Sequence, residues 1–147
     1  MKRYSLDKLQ TLIGQIITDS PSSAGNWLEP KLLKVEQGFA AMEVVVKKDM
    51  CNPYGNIHGG MMSLVIDEAI GWAIIAADLE FHYTSVSLNV NFLYAAALNE
   101  VIVAEASVVR SGKKIVNTEV RVYNQERKLL AHATSNLVVT SMEIQKK

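Results

Sequence analysis

Between Gly60 and Ala77 this 147-residue chain carries apolar residues on nearly every side of a would-be helix: Met61, Met62, Leu64, Val65, Ile66, Ala69, Ile70, Trp72, Ala73, Ile74 and Ile75. A helix that is apolar almost all round is buried almost all round. The remaining positions form a pattern of their own. Gly60, Ser63, Asp67 and Gly71 follow spacings of three, four and four, which gathers them on one narrow face. That face is small and polar, with a carboxylate in its middle. A membrane span is excluded by the adjacent acids Asp67 and Glu68 at what would be the bilayer midplane. The rest of the chain therefore has to wrap this helix.

The second half supplies the wrapping. Val86, Leu88, Val90, Phe92 and Tyr94 alternate with Ser85, Ser87, Asn89 and Asn91, the period of a half-buried strand. Strands over 101–109, 115–123 and 129–140 follow, joined at 95–100, 111–113 and 124–128. Connectors this short place successive strands as antiparallel neighbours, because a parallel crossover needs a dozen or more residues. Upstream, Leu6, Leu9, Leu12, Ile13, Ile16 and Ile17 recur at helical spacing after Ser5, a suitable N-cap, and the turn-rich run Asp19 to Asn26 ends that helix. Residues 32–35 and 39–46 read as a hairpin about Glu36-Gln37-Gly38. One long buried helix among five or six antiparallel strands is an α+β fold with the sheet curled about the helix. A length near 150 with 49% hydrophobic residues fits one domain over 1–147. Such a sheet leaves edges that need covering, so a dimer or larger assembly is expected.

Charge and cysteine usage narrow the function. Lys+Arg and Asp+Glu are 15 each, so there is no basic field to draw the chain to nucleic acid. Cys51, the single cysteine, can form neither an internal disulfide nor a thiolate metal site, which points to a reducing cytoplasm. The start MKRYSLDKLQ lacks the apolar core of a signal peptide.

The informative stretch runs from Asn52 through His58-Gly59-Gly60 into the buried helix. A helix N-terminus presents unpaired N–H groups and a partial positive charge, and glycine there lets an oxygen approach the backbone closely. The N–H of Gly59 or Gly60 is thus a ready oxyanion donor. Asp67 is the candidate base or nucleophile. It lies eight positions after Gly59, about 12 Å along a helix rising 1.5 Å per residue, and its side chain recovers only ~3 Å of that. Carboxylate, water and carbonyl must lie roughly 3 Å apart at each step. One subunit's glycine and acid therefore cannot grip one carbonyl. Two such helices packed antiparallel about a two-fold axis would bring Gly59 of one chain to Asp67 of the other.

The string NPYGNIHGGMMSLVIDEA at 52–69, followed by TSVSLNVNF at 84–92, resembles hotdog-fold acyl-CoA thioesterases of the phenylacetic acid degradation type, most clearly from Asp49 to Thr140. The resemblance implies a hotdog fold, a homodimer with two sites across its interface, often a dimer of dimers, and hydrolysis of an acyl-CoA to free acid and coenzyme A without metal or other cofactor. By position it implies that Asn52 orients the acyl carbonyl or the water, that His58 helps hold loop and substrate, that the Gly59 N–H polarises the thioester carbonyl, and that Asp67 is the catalytic carboxylate. Ser85 matches a strand serine near that carboxylate in some members. Some relatives carry glutamate at the position of Asp67; Glu68 points about 100° round the helix, off the small-residue face, which leaves Asp67 as the acid.

Other residues admit plainer readings. His82 and His132 read as structural or exposed. Cys51 adjoins Asn52 and His58, but no third residue orients a cysteine–histidine pair. Arg110, Lys113 and Lys114 surround the Ser111-Gly112 turn, either a solvated hairpin tip or a dock for coenzyme A phosphates. Met61, Met62 and Trp72 read as core or acyl-pocket lining. Two other functions share the scaffold: a non-catalytic acyl-CoA-binding module and a hotdog dehydratase or hydratase. The sequence names no acyl group.

Overall fold

The computed structural model describes residues 4–143; the basic Met1–Arg3 start and residues 144–147 lie outside it. The elements in chain order are α1 (Leu6–Gln10), α2 (Ser23–Leu28), β1 (Lys31–Glu36), β2 (Phe39–Val45), a 3₁₀ turn (Lys48–Met50), α3 (Gly59–Ala76), β3 (Phe81–Phe92), β4 (Val101–Ser111), β5 (Ile115–Asn124) and β6 (Leu129–Glu143). All strand pairs are antiparallel, in the order β1-β2-β4-β5-β6-β3. This is the expected hotdog arrangement, one long helix held by a curved six-stranded sheet.

α3 packs on β2, β4 and β5. Met62, Val65, Ile66, Ala69, Ile70, Trp72, Ala73 and Ala76 are buried, joining Met42, Ile102, Val120 and Leu130 in one apolar cluster. Each large side chain so buried stabilises by about 1.5–3 kcal/mol. That outweighs the ~1 kcal/mol an interior helical glycine such as Gly71 costs relative to alanine. The helix is long and apolar enough to cross a bilayer, yet its apolar sides are spent on the sheet.

Three sequence expectations need correction. The opening helix stops at Gln10: Gly14 takes a positive φ of 83°, and Ile16 leaves the helical path to bridge Lys31 at the edge of β1. Ser5 does cap α1, accepting from the Lys8 N–H at 3.2 Å. The supposed turn before Asn26 contains a second helix start, with Ser22 Oγ accepting from the Gly25 N–H at 2.9 Å. Finally, the connector 95–100 does not join neighbours. β4 pairs with β2, and β3 pairs with β6 at the far edge of the sheet. β3 has no fully buried residue, and a strand polar on much of both sides suits an edge.

Glu68 ties α2 to α3. Its carboxylate sits over Gly25, where a Cβ would collide with Oε1. Burial pushes its carboxyl above the ordinary 4.5; a hydrogen bond from Ser22 opposes this and the charge of Asp67 adds to it. A raised native pKa means that the folded state binds the proton more tightly, so this contribution is complete below the unfolded value and fades as pH rises through the native one. Glu68→Gln should therefore flatten the fall of unfolding free energy above pH 4.5, measured by urea titration across pH 4–8; a slope equal to wild type contradicts this. Trp72 is buried, and among the described residues its Nε1 has no hydrogen-bond partner. Trp72→Phe thus forfeits no hydrogen bond and leaves a smaller cavity, so it should cost less than Trp72→Ala, which costs about 3–5 kcal/mol, in the same titrations.

Candidate active site

The loop ahead of α3 is built by its own polar groups. Asn52 Oδ1 accepts from the N–H groups of Tyr54 at 3.0 Å and Asn56 at 3.2 Å, while Gly55 at φ 81° lets the chain reverse. The Asn52 oxygen is thereby committed to the loop, and its amide nitrogen is the group left for a ligand. The His58 N–H donates to Met50 O at 2.8 Å and the Ile57 N–H to Ala96 O at 2.8 Å, which fixes the helix start against the core.

His58 is the N-cap of α3, its Nδ1 accepting from the Gly60 N–H at 2.9 Å. That bond assigns the ring proton to Nε2. It also separates the two candidate oxyanion donors. The Gly60 N–H is taken by the histidine, whereas the Gly59 N–H meets no acceptor among the described residues. Gly59 is the free donor at the positive end of the helix. A Cβ there would lie 3.3 Å from Phe92 Cζ, so the missing side chain keeps the recess beside it open. That recess, about 370 Å³, is bounded by Gly59, Met62 and residues 92–95.

Asp67 opens elsewhere. With Gly60, Ser63 and Ser85 it lines a shallow trough between α3 and β3, and it also lines a deeper cavity of about 330 Å³. Asp67 is exposed in the protomer, and Ser85 Oγ donates to its Oδ1 at 3.2 Å. Strict alternation would place Ser85 on the opposite face from Leu88. A bulge corrects this: the register with β6 shifts by one between Ser85 and Ser87, leaving Val86 as the extra residue, 59% exposed. A one-residue slip flips the side chains beyond it, so Ser85 reaches Asp67 of α3 and Leu88 packs against the core. Glu68, one position on, is turned toward Ser22.

Within one chain, then, Asn52, His58, Gly59 and Gly60 gather at the helix start, Asp67 and Ser85 two turns further on, and Gly59 shares none of these three cavities with Asp67. Arg110, Lys113 and Lys114 are exposed at the β4–β5 turn, and they line none of these three cavities. The turn nevertheless reaches the site, because the Tyr83 hydroxyl donates to Gly112 O at 3.4 Å and Tyr83 lines the deeper cavity. His82 lines it too, a placement its position near a strand end did not disclose. His132 lies on the sheet, 3.9 Å from Glu119, and Cys51 Sγ contacts Lys47 O. No cluster of three or more potential metal ligands occurs among the described residues.

Comparison with known proteins agrees with this architecture. A family model for the thioesterase superfamily matches residues 54–131, more than half of the chain. Human acyl-coenzyme A thioesterase 13 is 29% identical over 94 residues, covering 64% of this chain and 67% of that protein. Among solved structures, PaaI of Escherichia coli, from the phenylacetic acid degradation operon, superposes with a TM-score of 0.78 at 20% identity over 85% of this chain and 89% of that one. A hypothetical thioesterase of Streptococcus pneumoniae, crystallised with coenzyme A, gives a TM-score of 0.73 at 24% identity over 78% and 88%. By its matched motif region and its wrapped helix, the chain belongs to the thioesterase superfamily, a hotdog-fold thioester hydrolase.

Proposed function

We propose that this protein hydrolyses an acyl-CoA thioester to a free acid and coenzyme A, as one domain over the whole chain, in a site shared by two subunits. The observation that carries the reading is the separation just described. An exposed carboxylate held by Ser85 and a free backbone donor at Gly59 occupy different cavities of one protomer, about 12 Å apart along an unbroken helix. The names of human acyl-coenzyme A thioesterase 13 and the coenzyme A bound to the streptococcal protein support the substrate class.

In this reading the Gly59 N–H of one subunit and its helix dipole receive the carbonyl oxygen as it becomes an oxyanion. Asn52 Nδ2 and His58 Nε2 stand beside it as further donors, and Gly60 holds the cap. Asp67 of the other subunit takes a proton from the attacking water, or attacks the carbonyl carbon itself, breaking the C–S bond to release the thiolate and leaving an anhydride that water then hydrolyses to the free acid. Ser85 keeps the carboxylate aimed across the trough. The leaving thiolate needs no strong acid, since a thiol of pKa about 8.5 departs readily. No metal or cofactor takes part beyond the coenzyme A of the substrate. Arg110, Lys113 and Lys114 are suited to the coenzyme A phosphates. The exposed edge β3, with Val86 and Phe92 more than half exposed, is suited to pairing with a second copy, and the homodimers to pairing again. A reducing cytoplasm fits the lone, partly buried Cys51.

Release of free thiol from aryl, short and long acyl-CoAs tests the reading. Wild type should cleave at least one class. Asp67→Asn, with its assembly unchanged by light scattering, should lose about 10²–10⁴-fold in kcat, and Ser85→Ala about tenfold, the worth of one hydrogen bond to a charged group. An Asp67→Asn protein as fast as wild type removes the aspartate from the mechanism. Tight binding of acyl-CoA with no thiol release by wild type makes this a binding module instead.

A further inference from the structure

We propose that the cavity beyond Asp67 receives the acyl chain, and that Gly71 sets how long a chain it admits; this rests on the thioesterase reading. Asp67 and Ser85 line the cavity together with α3 residues as far as Ile75, toward the C-terminal end of the helix. Ile70, Ile74, Ile75, Phe81 and Leu137 supply its apolar lining, beside polar groups from Tyr4, Glu68 and residues 82–85; the apolar part suits hydrocarbon. Gly71 lies one turn past Asp67 on the same face, about 6 Å along the axis, and borders the same cavity.

Nothing in the backbone asks for glycine at this position. Its φ is not positive, and a Cβ built on it meets no atom within 4 Å. Inside a helix, glycine is less favourable than alanine. What its bare backbone does provide is open volume beside the carboxylate. A side chain there would project into the cavity at the depth that a chain reaches only after its first few carbons. Short acyl groups end before Gly71; long ones pass it.

The test compares Gly71→Ala and Gly71→Leu with wild type on acetyl-, hexanoyl- and decanoyl-CoA, alongside thermal melts and light scattering. The expected result is a loss of kcat/KM on decanoyl-CoA at least tenfold greater than the loss on acetyl-CoA for Gly71→Leu, with a smaller difference for Gly71→Ala. The assembly should be unchanged, and the Tm of Gly71→Ala equal to wild type or higher, which keeps the test sound if the leucine variant folds poorly. An unchanged chain-length profile overturns the proposal while leaving the thioesterase reading intact. An equal loss on every substrate overturns it by placing the pantetheine arm along Gly71. A change in assembly overturns it by placing Gly71 against a partner helix. Wild type that cleaves no acyl-CoA fails both.

Discussion

A straight helix sets its two ends apart and keeps them apart. In this protein the free N–H of Gly59 and the carboxylate of Asp67 sit about 12 Å apart along one such rod. The rod is rigid because it is wrapped: eight of its side chains are buried against the sheet and the segments beside it. Its one uncovered stripe carries Gly60, Asp67 and Gly71. The fold thus covers the other faces of the helix and leaves the stripe with the carboxylate open.

Around the rod, small local devices place each group. The histidine cap occupies the Gly60 N–H and so singles out Gly59 as the donor. The bulge at Val86 turns Ser85 onto the carboxylate. Glu68, adjacent to the catalytic candidate and identical in chemistry, is removed from competition by α2, where burial favours its neutral form. Two neighbouring carboxyl groups are given different tasks by their surroundings alone, one exposed and aimed at the trough, the other holding two helices together.

Much of this was legible in the sequence because it rests on local periodicity. The apolar α3 with its polar stripe, the hairpins β4–β5 and β5–β6 and the glycine-rich helix start all follow from spacing and turn chemistry within a few residues. What stayed hidden depends on distant partners. The end of α1 at Gln10 is decided by β1 capturing Ile16. The seat of β3 beside β6 is a competition among strands that connector length does not report. The bulge was masked by a clean alternation from Ser85 to Tyr94, so the residues predicted that a strand was there but misassigned the face of Ser85. His82 entered the cavity because β3 begins at Phe81, earlier than its alternation suggested.

The most direct test of the shared site is to mix two inactive variants. Gly59→Pro deletes the donor at a first-turn position where proline is tolerated, with Phe92 the side chain that must yield; Asp67→Asn deletes the acid. In randomly assorted dimers, half are mixed and each mixed dimer keeps one intact site of two. The mixture should therefore regain about a quarter of wild-type thiol release. A mixture of co-refolded variants, shown by mass to contain mixed dimers yet as inactive as its parents, would contradict the account.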